Sequence, residues 1–449
     1  MRRSLVVSLA LALGCTPSQP SAEQAPSAPT PAPAAPAPSP DPGQAPAAPP
    51  TTPPPAPPAD PVPTAANELL NGLVPEAERI AVTDAAAKSL ELRVIDFEIW
   101  VTDGTRRAPL RMRAEEVTRT TPGHDGSGEP TLAFDYTDGM SCVDESNHAE
   151  LSVRSLLARL ENATAMKPHV ADDFESSARG FARAARLDPS LDVAWINLAC
   201  ALAMQGKRGP ATTALAPLLE RKPLYTIHKV MSDPELESLR EVPALVSKRA
   251  PKPGTAKVRE LTLAYSEHLS LVAARRVEDS WGACNFVEDL RILDASTGKE
   301  ILTLPLVGWD ESEPECEDDA PDRRLRPEAK SRVQARLDTM DRFLRDMGFS
   351  VSEGLELVEP DDDEGPAVRA ALPKAGFELV IDDDELRVEK AGKTLVAIPQ
   401  TEAQGITRAG HDPRAGIAFI EWFHDVPEGC DDGSDGTGFI VVALPRPIH

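Results

Sequence analysis

Aromatic side chains are scarce in this sequence: Phe, Trp and Tyr together make up 4% of its 449 residues. So thin a supply cannot build the stacked rows on which single-stranded nucleic acids or long sugar chains lie. Positive charge is also short, with 47 Lys and Arg against 72 Asp and Glu, for a net charge of −25. Such a chain repels phosphate backbones, which excludes nucleic acid as a partner, and it avoids an anionic membrane surface unless something else holds it there. Catalytic signatures are missing as well. The eight histidines show no metal-ligand spacing, and neither His-Glu-x-x-His nor Gly-x-Ser-x-Gly occurs, since Gly123–Gly128 only looks like the latter. Gly392-Lys393-Thr394 ends like a phosphate loop, but Arg387 stands where the upstream glycine is required, so the run reads as a hairpin turn. Neither a cofactor nor a resident metal is expected.

Proline, by contrast, is abundant. Thr16–Ala66 holds 20 of the 45 prolines, mixed with Ala, Ser and Thr. It lacks the apolar surface to offset the entropy of ordering, so residues 16–66 read as a disordered spacer reaching about 150 Å at most. A PxxP ligand reading is the weaker alternative, because low complexity generates such motifs by chance. Before the spacer, Arg2 and Arg3 precede the apolar Leu5–Leu13, a run fit for an export signal and too short to cross a membrane. Leu11-Ala12-Leu13-Gly14-Cys15 resembles the bacterial lipoprotein cleavage box, with Ala12 departing from the usual branched aliphatic residue. The resemblance implies that residues 1–15 are a lipoprotein signal, that Cys15 becomes the lipidated terminus, and that the protein is anchored to the outer membrane of a bacterial envelope, periplasmic or surface-exposed. An ordinary secretory signal is the alternative.

Past the spacer the periodicity is β-like. Leu92, Val94, Ile95, Phe97, Ile99 and Val101 make Leu90–Thr102 a strand candidate, with Leu110–Arg119 and Thr131–Tyr136 as partners and a glycine-rich loop at Pro122–Pro130. Residues 67–145 thus form a small β-rich domain. Ser146–Met166 reads as a helix that buries Leu151, Leu156, Leu157 and Leu160.

The most informative stretch is Asp192–Pro223. Trp195, Leu198, Ala199 and Leu202 form one apolar stripe at helical spacing, Ala211, Leu215 and Leu218 a second, with a turn at Gln205-Gly206-Lys207 between them. Trp195, Asn197, Leu198, Ala199, Ala201, Gln205, Gly206, Ala211, Leu215 and Pro223 resemble the tetratricopeptide repeat (TPR), a helix–turn–helix unit of roughly 34 residues. Phe181, Ala184 and Leu187-Asp188-Pro189 fit the second helix of a preceding repeat. Its first helix does not fit, because Pro168 falls where the packing face belongs. Asp233–Arg240 with Pro243-Ala244-Leu245 resembles a degenerate closing pair. The resemblance covers about a fifth of the chain and implies a helical block over residues 146–250. Ligands of the family lie against the first helix of each pair, which here points to Val193, Ile196, Asn197, Cys200, Ala203 and Met204. These positions lack the lysine and asparagine clamp that grips an acidic peptide terminus. The groove would hold an apolar segment, either a partner's or one from the protein's own flanking domain, because isolated repeats bury too little to stand alone.

After Pro251-Lys252-Pro253-Gly254 the chain turns β-rich again, through residues 257–449. Strands are expected at Leu261–Ala264, Leu269–Val277, Phe286–Leu293, Glu300–Val307, Phe377–Ile381, Leu386–Glu389, Thr394–Ile398, Ile417–His424 and Gly438–Leu444, with a turn at Ser296–Lys299 and one inserted helix, Glu328–Met347, stopped by Gly348. Arg291–Leu304 resembles Arg387–Ile398, and Leu271–Cys284 resembles Ile417–Cys430, which fits either a duplicated unit or shared turn chemistry. The fold class is therefore multidomain α+β, a short helical block between β-rich domains behind a Pro/Ala-rich tether.

Of the remaining cysteines, Cys200 sits among apolar residues and reads as a buried thiol. Cys142, Cys284, Cys316 and Cys430 have three possible pairings in an oxidising compartment, with Cys284–Cys316 favoured because both flank one strand pair. The acidic runs Glu311–Asp322, Asp361–Glu364, Asp382–Glu385 and Asp431–Asp435 read as solvated loops. The last resembles a calcium loop in outline, but Gly433 and Val442 stand where ligands belong. His424 with Cys430 and Asp431 is a conceivable thiol–imidazole pair, outweighed by a disulfide beside a loop histidine. The expected function is non-enzymatic: a lipid-anchored envelope protein with a TPR-like interaction module. An enzyme with a site near Trp422 and His424, or calcium-binding loops, are the alternatives.

Overall fold

The computed structural model describes residues 62–137, 146–279, 286–312, 325–351, 356–358, 369–373, 376–382, 385–399, 405–412, 416–424 and 436–444. The architecture is mixed α+β, with N-terminal sheets, a central helical block and C-terminal sheets. Cys15, the spacer to residue 61, Cys142, Cys284, Cys316, Cys430 and Asp431–Asp435 lie outside the described residues.

The N-terminal part opens with α1 (Thr64–Leu73), a 3-10 turn at Glu76–Glu78 and α2 (Asp84–Ser89), whose N-terminus is capped by the Thr83 hydroxyl accepting from the Ala86 N–H at 3.2 Å. β1 (Glu91–Ile95), β2 (Glu98–Thr102) and β3 (Arg107–Arg113) form one antiparallel sheet; β4 (Glu116–His124), β5 (Pro130–Thr137) and β6 (Ser146–Ser152) form another. The single strand expected over Leu90–Thr102 is therefore a hairpin. Asp96 and Phe97 both hold positive φ, 51° and 58°, as a two-residue turn that follows strand twist demands. Likewise Ser146–Ser152 is a strand and not the start of a helix: it pairs residue for residue with Thr131–Thr137.

The helical block follows: α3 (Val153–Val170), α4 (Phe174–Leu187), α5 (Asp192–Met204), α6 (Arg208–Arg221), α7 (Pro223–Ser232), a 3-10 turn at Pro234–Leu239 and the short α8 (Pro243–Val246). Pro168 does not prevent α3. It lies in the last turn, where little helix remains to be broken, and the chain reverses just beyond it at Asp172, φ 61°. Asp173 then caps α4 by accepting from the Ser176 N–H. Gly180 brings α4 against α3 so closely that a Cβ there would sit 2.5 Å from the Ala165 Cβ. Between α5 and α6, Gly206 takes φ 74° and the Lys207 N–H donates to the Leu202 carbonyl at 2.9 Å, a glycine-closed helix end at the expected turn. Trp195, Leu198, Ala199, Ala211, Leu215 and Leu218 are all buried.

The C-terminal part stacks four layers. β7 (Leu263–Ser266), β8 (Leu271–Asp279), β9 (Phe286–Asp294), β10 (Glu300–Val307), α9 (Lys330–Asp346) and β11 (Ser350–Val351) supply a helix on one face of an antiparallel sheet ordered β10-β9-β8-β7-β11. β12 (Glu356–Val358) pairs with β17 (Gly405–Asp412), then β18 (Ile417–His424) and β19 (Gly436–Ala443); β13 (Arg369–Leu372), β14 (Phe377–Asp382), β15 (Glu385–Lys390) and β16 (Lys393–Pro399) make an outer meander. Leu263, Val272 and Leu293 meet Ile417, Phe419 and Val441 in one apolar layer, whereas Ala418, Ile420 and Trp422 face Leu379, Leu386 and Val388 in the next. β18 is thus buried on both faces, which is why its sequence is apolar from Ile417 to Phe423 except at Glu421. The proposed duplication finds no counterpart in the topology: β8, β9 and β10 share one sheet, but β15–β16 and β18 belong to different ones.

One apolar core runs without interruption from Ala66 of α1 through Trp195 of α5 to Phe343 of α9 and Phe349. The Pro251–Gly254 segment does not separate domains freely. The Ala250 and Gly254 N–H groups donate to the Asp346 and Arg345 carbonyls, at 2.9 and 2.7 Å, and a Cβ on Gly254 would lie 1.9 Å from the Phe349 carbonyl oxygen.

Candidate functional site

The groove expected along the first helix of the central pair is occupied by the protein itself. Ile196, Asn197 and Cys200 are at most 1% exposed, and Ala203 is buried as well. The Asn197 side-chain amide donates to Asn162 Oδ1 of α3 at 3.0 Å, and the Pro234–Leu239 turn packs over α5 with Leu236 and Leu239 fully buried. Only the two ends of the expected groove meet solvent: Val193 is half-buried and Met204 is 45% exposed.

Beneath that turn lies a polar cluster. His169 Nε2 meets Glu235 Oε2 at 2.9 Å, Asp233 Oδ1 accepts from the Glu235 N–H at 2.9 Å, and Cys200 Sγ lies 3.7 Å from Asp233 Oδ2. Burial raises the Asp233 carboxyl above its ordinary range, and the nearby Glu235 adds to the shift. Cys200, Asp233 and Glu235 are close enough to share a cation, but each has a structural task. Among the described residues no cysteine is free, which corrects the reading of Cys200 as a free thiol. Asp233 caps the turn, and Glu235 is engaged by His169.

In the acidic run Glu311–Asp322, Glu311 is buried, and its carboxylate accepts from Arg336, from Arg332 and from the Gly308 N–H at 3.0 Å. Burial alone would raise its pKa; the Arg336 guanidinium and the Gly308 N–H outweigh it and hold it low. This carboxylate is neutralised inside the fold and has no need of a metal. Trp422 is 7% exposed in the layer between two sheets, so its ring faces core rather than a cavity. Gly392 and Ala391, at φ 73° and 50°, are the turn joining β15 to β16.

A site that sequence reading missed lies where α1 and the Glu76–Glu78 turn meet α3 and α4. A cavity of about 320 Å³ is lined by Arg79, Arg154, Arg183 and Arg186, with Asn67, Asn71 and Glu78 as the other polar groups. Each arginine has a different anchor. Arg79 pairs with Glu76 at 2.6 Å, Arg154 pairs with Glu129, and Arg183 bridges Glu161 at 2.9 Å and Glu78 at 3.4 Å. Glu161, 5% exposed, is shared with Arg106, whose Nε meets Asp103 at 2.7 Å. Burial would raise the Asp103 carboxyl, but donation by the Arg106 and Thr105 N–H groups and their side chains holds it well below the usual carboxylate range. Arg186 differs from the other three. It donates to Asn71 Oδ1 at 2.7 Å, an uncharged partner, and its Nη1 is buried with no hydrogen-bond acceptor. Burial first, and then repulsion from Arg79, lower its pKa. The only sequence signal for the site was Arg183 and Arg186, one helical turn apart on α4; Arg79 and Arg154 arrive by tertiary folding.

A shallower groove of about 460 Å³ runs between α1, α6 and α8, lined by Ala65, Thr212, Ala216, Leu219, Val242 and Pro243. Among the described residues no helix is long and apolar enough to cross a membrane. No family model, curated protein or solved structure matches the chain.

Proposed function

We propose that the protein is a non-enzymatic, lipid-anchored component of a bacterial envelope, held by Cys15 and the spacer at residues 16–66, whose TPR-like helical block serves protein–protein recognition. The observation that supports this reading is the stacking of α3/α4 and α5/α6 as consecutive antiparallel pairs, the second closed by Gly206, continued by α7 and the Pro234–Leu239 turn. Repeats stacked in this way gain stability by adding neighbours and expose a continuous surface.

The partner surface follows from what the chain leaves open. With Ile196, Asn197 and Cys200 covered, recognition falls to the end of the stack: exposed Met204 and the groove between α1, α6 and α8. The covered face has a mechanical role instead. Through α3 it packs on the N-terminal sheets and through α7 on α9, so the block is a rigid connector carrying both β-rich parts.

The test is chemical crosslinking in intact envelopes followed by mass spectrometry. A partner crosslinked to Lys207, beside Met204, in the wild type and lost in Ala216→Arg is expected, with Cys15→Ser releasing the protein from the membrane. A chain that crosslinks to nothing, or stays membrane-bound as Cys15→Ser, sinks the reading.

A further inference from the structure

We propose that the arginine-lined cavity between α1, the Glu76–Glu78 turn, α3 and α4 is a binding site for a small, multiply charged oxyanion, a ligand carrying carboxylate or phosphate groups. Four guanidinium groups converge on one cavity in a chain whose net charge is −25. Arginine's planar fork of donors matches the paired oxygens of both groups.

Three of the four are already satisfied by carboxylates of the chain, and these contacts set their positions. Arg79 is held by Glu76, Arg154 by Glu129, and Arg183 by Glu161 and Glu78. Arg186 makes no ion pair: Asn71 takes one of its donors, buried Nη1 has no acceptor, and Glu76 acts on it only from a distance. A buried donor without an acceptor is a standing cost, and for a charged group a larger one. An oxyanion seated against Arg186 removes that cost and relieves the repulsion between Arg186 and Arg79. The α3 N-terminus, where Arg154 stands, adds its dipole in the same sense. A volume of about 320 Å³ lies at the small end of ligand pockets and suits a compact molecule rather than a polymer. None of the lining residues belongs to the α1, α6 and α8 groove apart from the neighbourhood of α1 itself, so this site stands independently of the protein-binding reading.

The experiment is titration calorimetry of the full chain in detergent micelles with two probes, citrate and inorganic pyrophosphate, at constant ionic strength set with sodium chloride. Saturable binding of at least one probe is expected, weakened ten-fold or more in Arg186→Gln and in Arg79→Gln. The Arg79 side chain is 48% exposed, so its loss leaves the core intact should Arg186→Gln fold poorly. Citrate alone binding identifies a carboxylate site, pyrophosphate alone a phosphate site, and either supports the proposal. Binding of neither probe, or wild-type affinity in both variants, overturns it.

Discussion

His228 of α7 stands edge-on to Phe343 of α9, ring centroids 5.7 Å apart and planes at 87°, and neither imidazole nitrogen has a hydrogen-bond partner. This pair joins the helical block to the C-terminal layers. Burial, with Lys229 next to it, pushes the histidine pKa down to about 3. The folded state therefore resists a proton that the unfolded chain accepts near pH 6.5. Between those values the unfolded state binds more protons, so stability is complete above about pH 6.5 and falls as the pH drops toward 3, by about 1.4 kcal/mol per unit. His228→Leu removes this slope. Urea unfolding at pH 7 and pH 5 should show a loss for the wild type that exceeds the variant's by about 2 kcal/mol. Equal losses would mean that His228 is hydrated or protonated in the fold.

Where periodicity alone decides, the fold was legible. α5, α6 and α9 lie within a few residues of their apolar stripes, and Gly206 and Gly348 mark the ends of α5 and α9, at φ 74° and 75°. Strands with two buried faces, such as β18, also announce themselves. What failed depended on partners. The Leu90–Thr102 run alternates straight through Asp96-Phe97, and only the positive φ of both residues reveals a hairpin. Ser146–Ser152 carries as much helical as strand character until β5 pairs with it. β13 and β17 are short or rich in Gly, Arg and His, and gain their strand conformation from neighbours. Beyond the Arg183 and Arg186 pair, the arginine cavity was hidden because its other charges come from the first turn of α3 and a loop more than seventy residues upstream of α3.

Trp195 is fully buried between the paired helices, and its indole N–H donates to the Pro189 carbonyl at 2.9 Å. The ring thereby fastens α5 to the loop that leads into it. Trp195→Ala removes a large side chain from a closed site and should cost about 3–5 kcal/mol. Trp195→Phe keeps most of the volume and loses the hydrogen bond, with a further unsatisfied carbonyl, for about 1–2 kcal/mol. Chemical denaturation of both variants ranks them; a Phe variant as weak as the Ala variant would place the hydrogen bond, rather than the packing, in control.

Gly298, at the turn between β9 and β10, touches the neighbouring sheet. Its φ is 70°, and a Cβ there would lie 1.8 Å from the Val441 carbonyl oxygen of β19. Gly298→Ala must either strain the turn or push β19 away, at a cost of about 2 kcal/mol. The loss should be local. Hydrogen exchange should quicken in β18 and β19 while α5 and α6 keep their protection, because the apolar layer of Val441, Ile417 and Leu293 is separate from the core that contains Trp195. Uniform quickening across the chain would show instead that all layers unfold as one unit.

Glu161 ties three elements together. Buried on α3, it receives Arg106 from the β2–β3 turn and Arg183 from α4. Glu161→Ala leaves two guanidinium groups facing each other beside the arginine cavity, with Asp103 and Glu78 as their remaining partners. Since both arginines keep some contact with water, the expected cost is about 3 kcal/mol, the low end for breaking a buried ion pair. Glu161→Gln retains acceptor oxygen and should cost less. The same change adds positive field to the cavity, so citrate or pyrophosphate should recover more stability in Glu161→Gln than in the wild type, read as the rise in melting temperature on saturation. An anion-induced rise no larger than the wild type's would show that Glu161 and the cavity do not share a field.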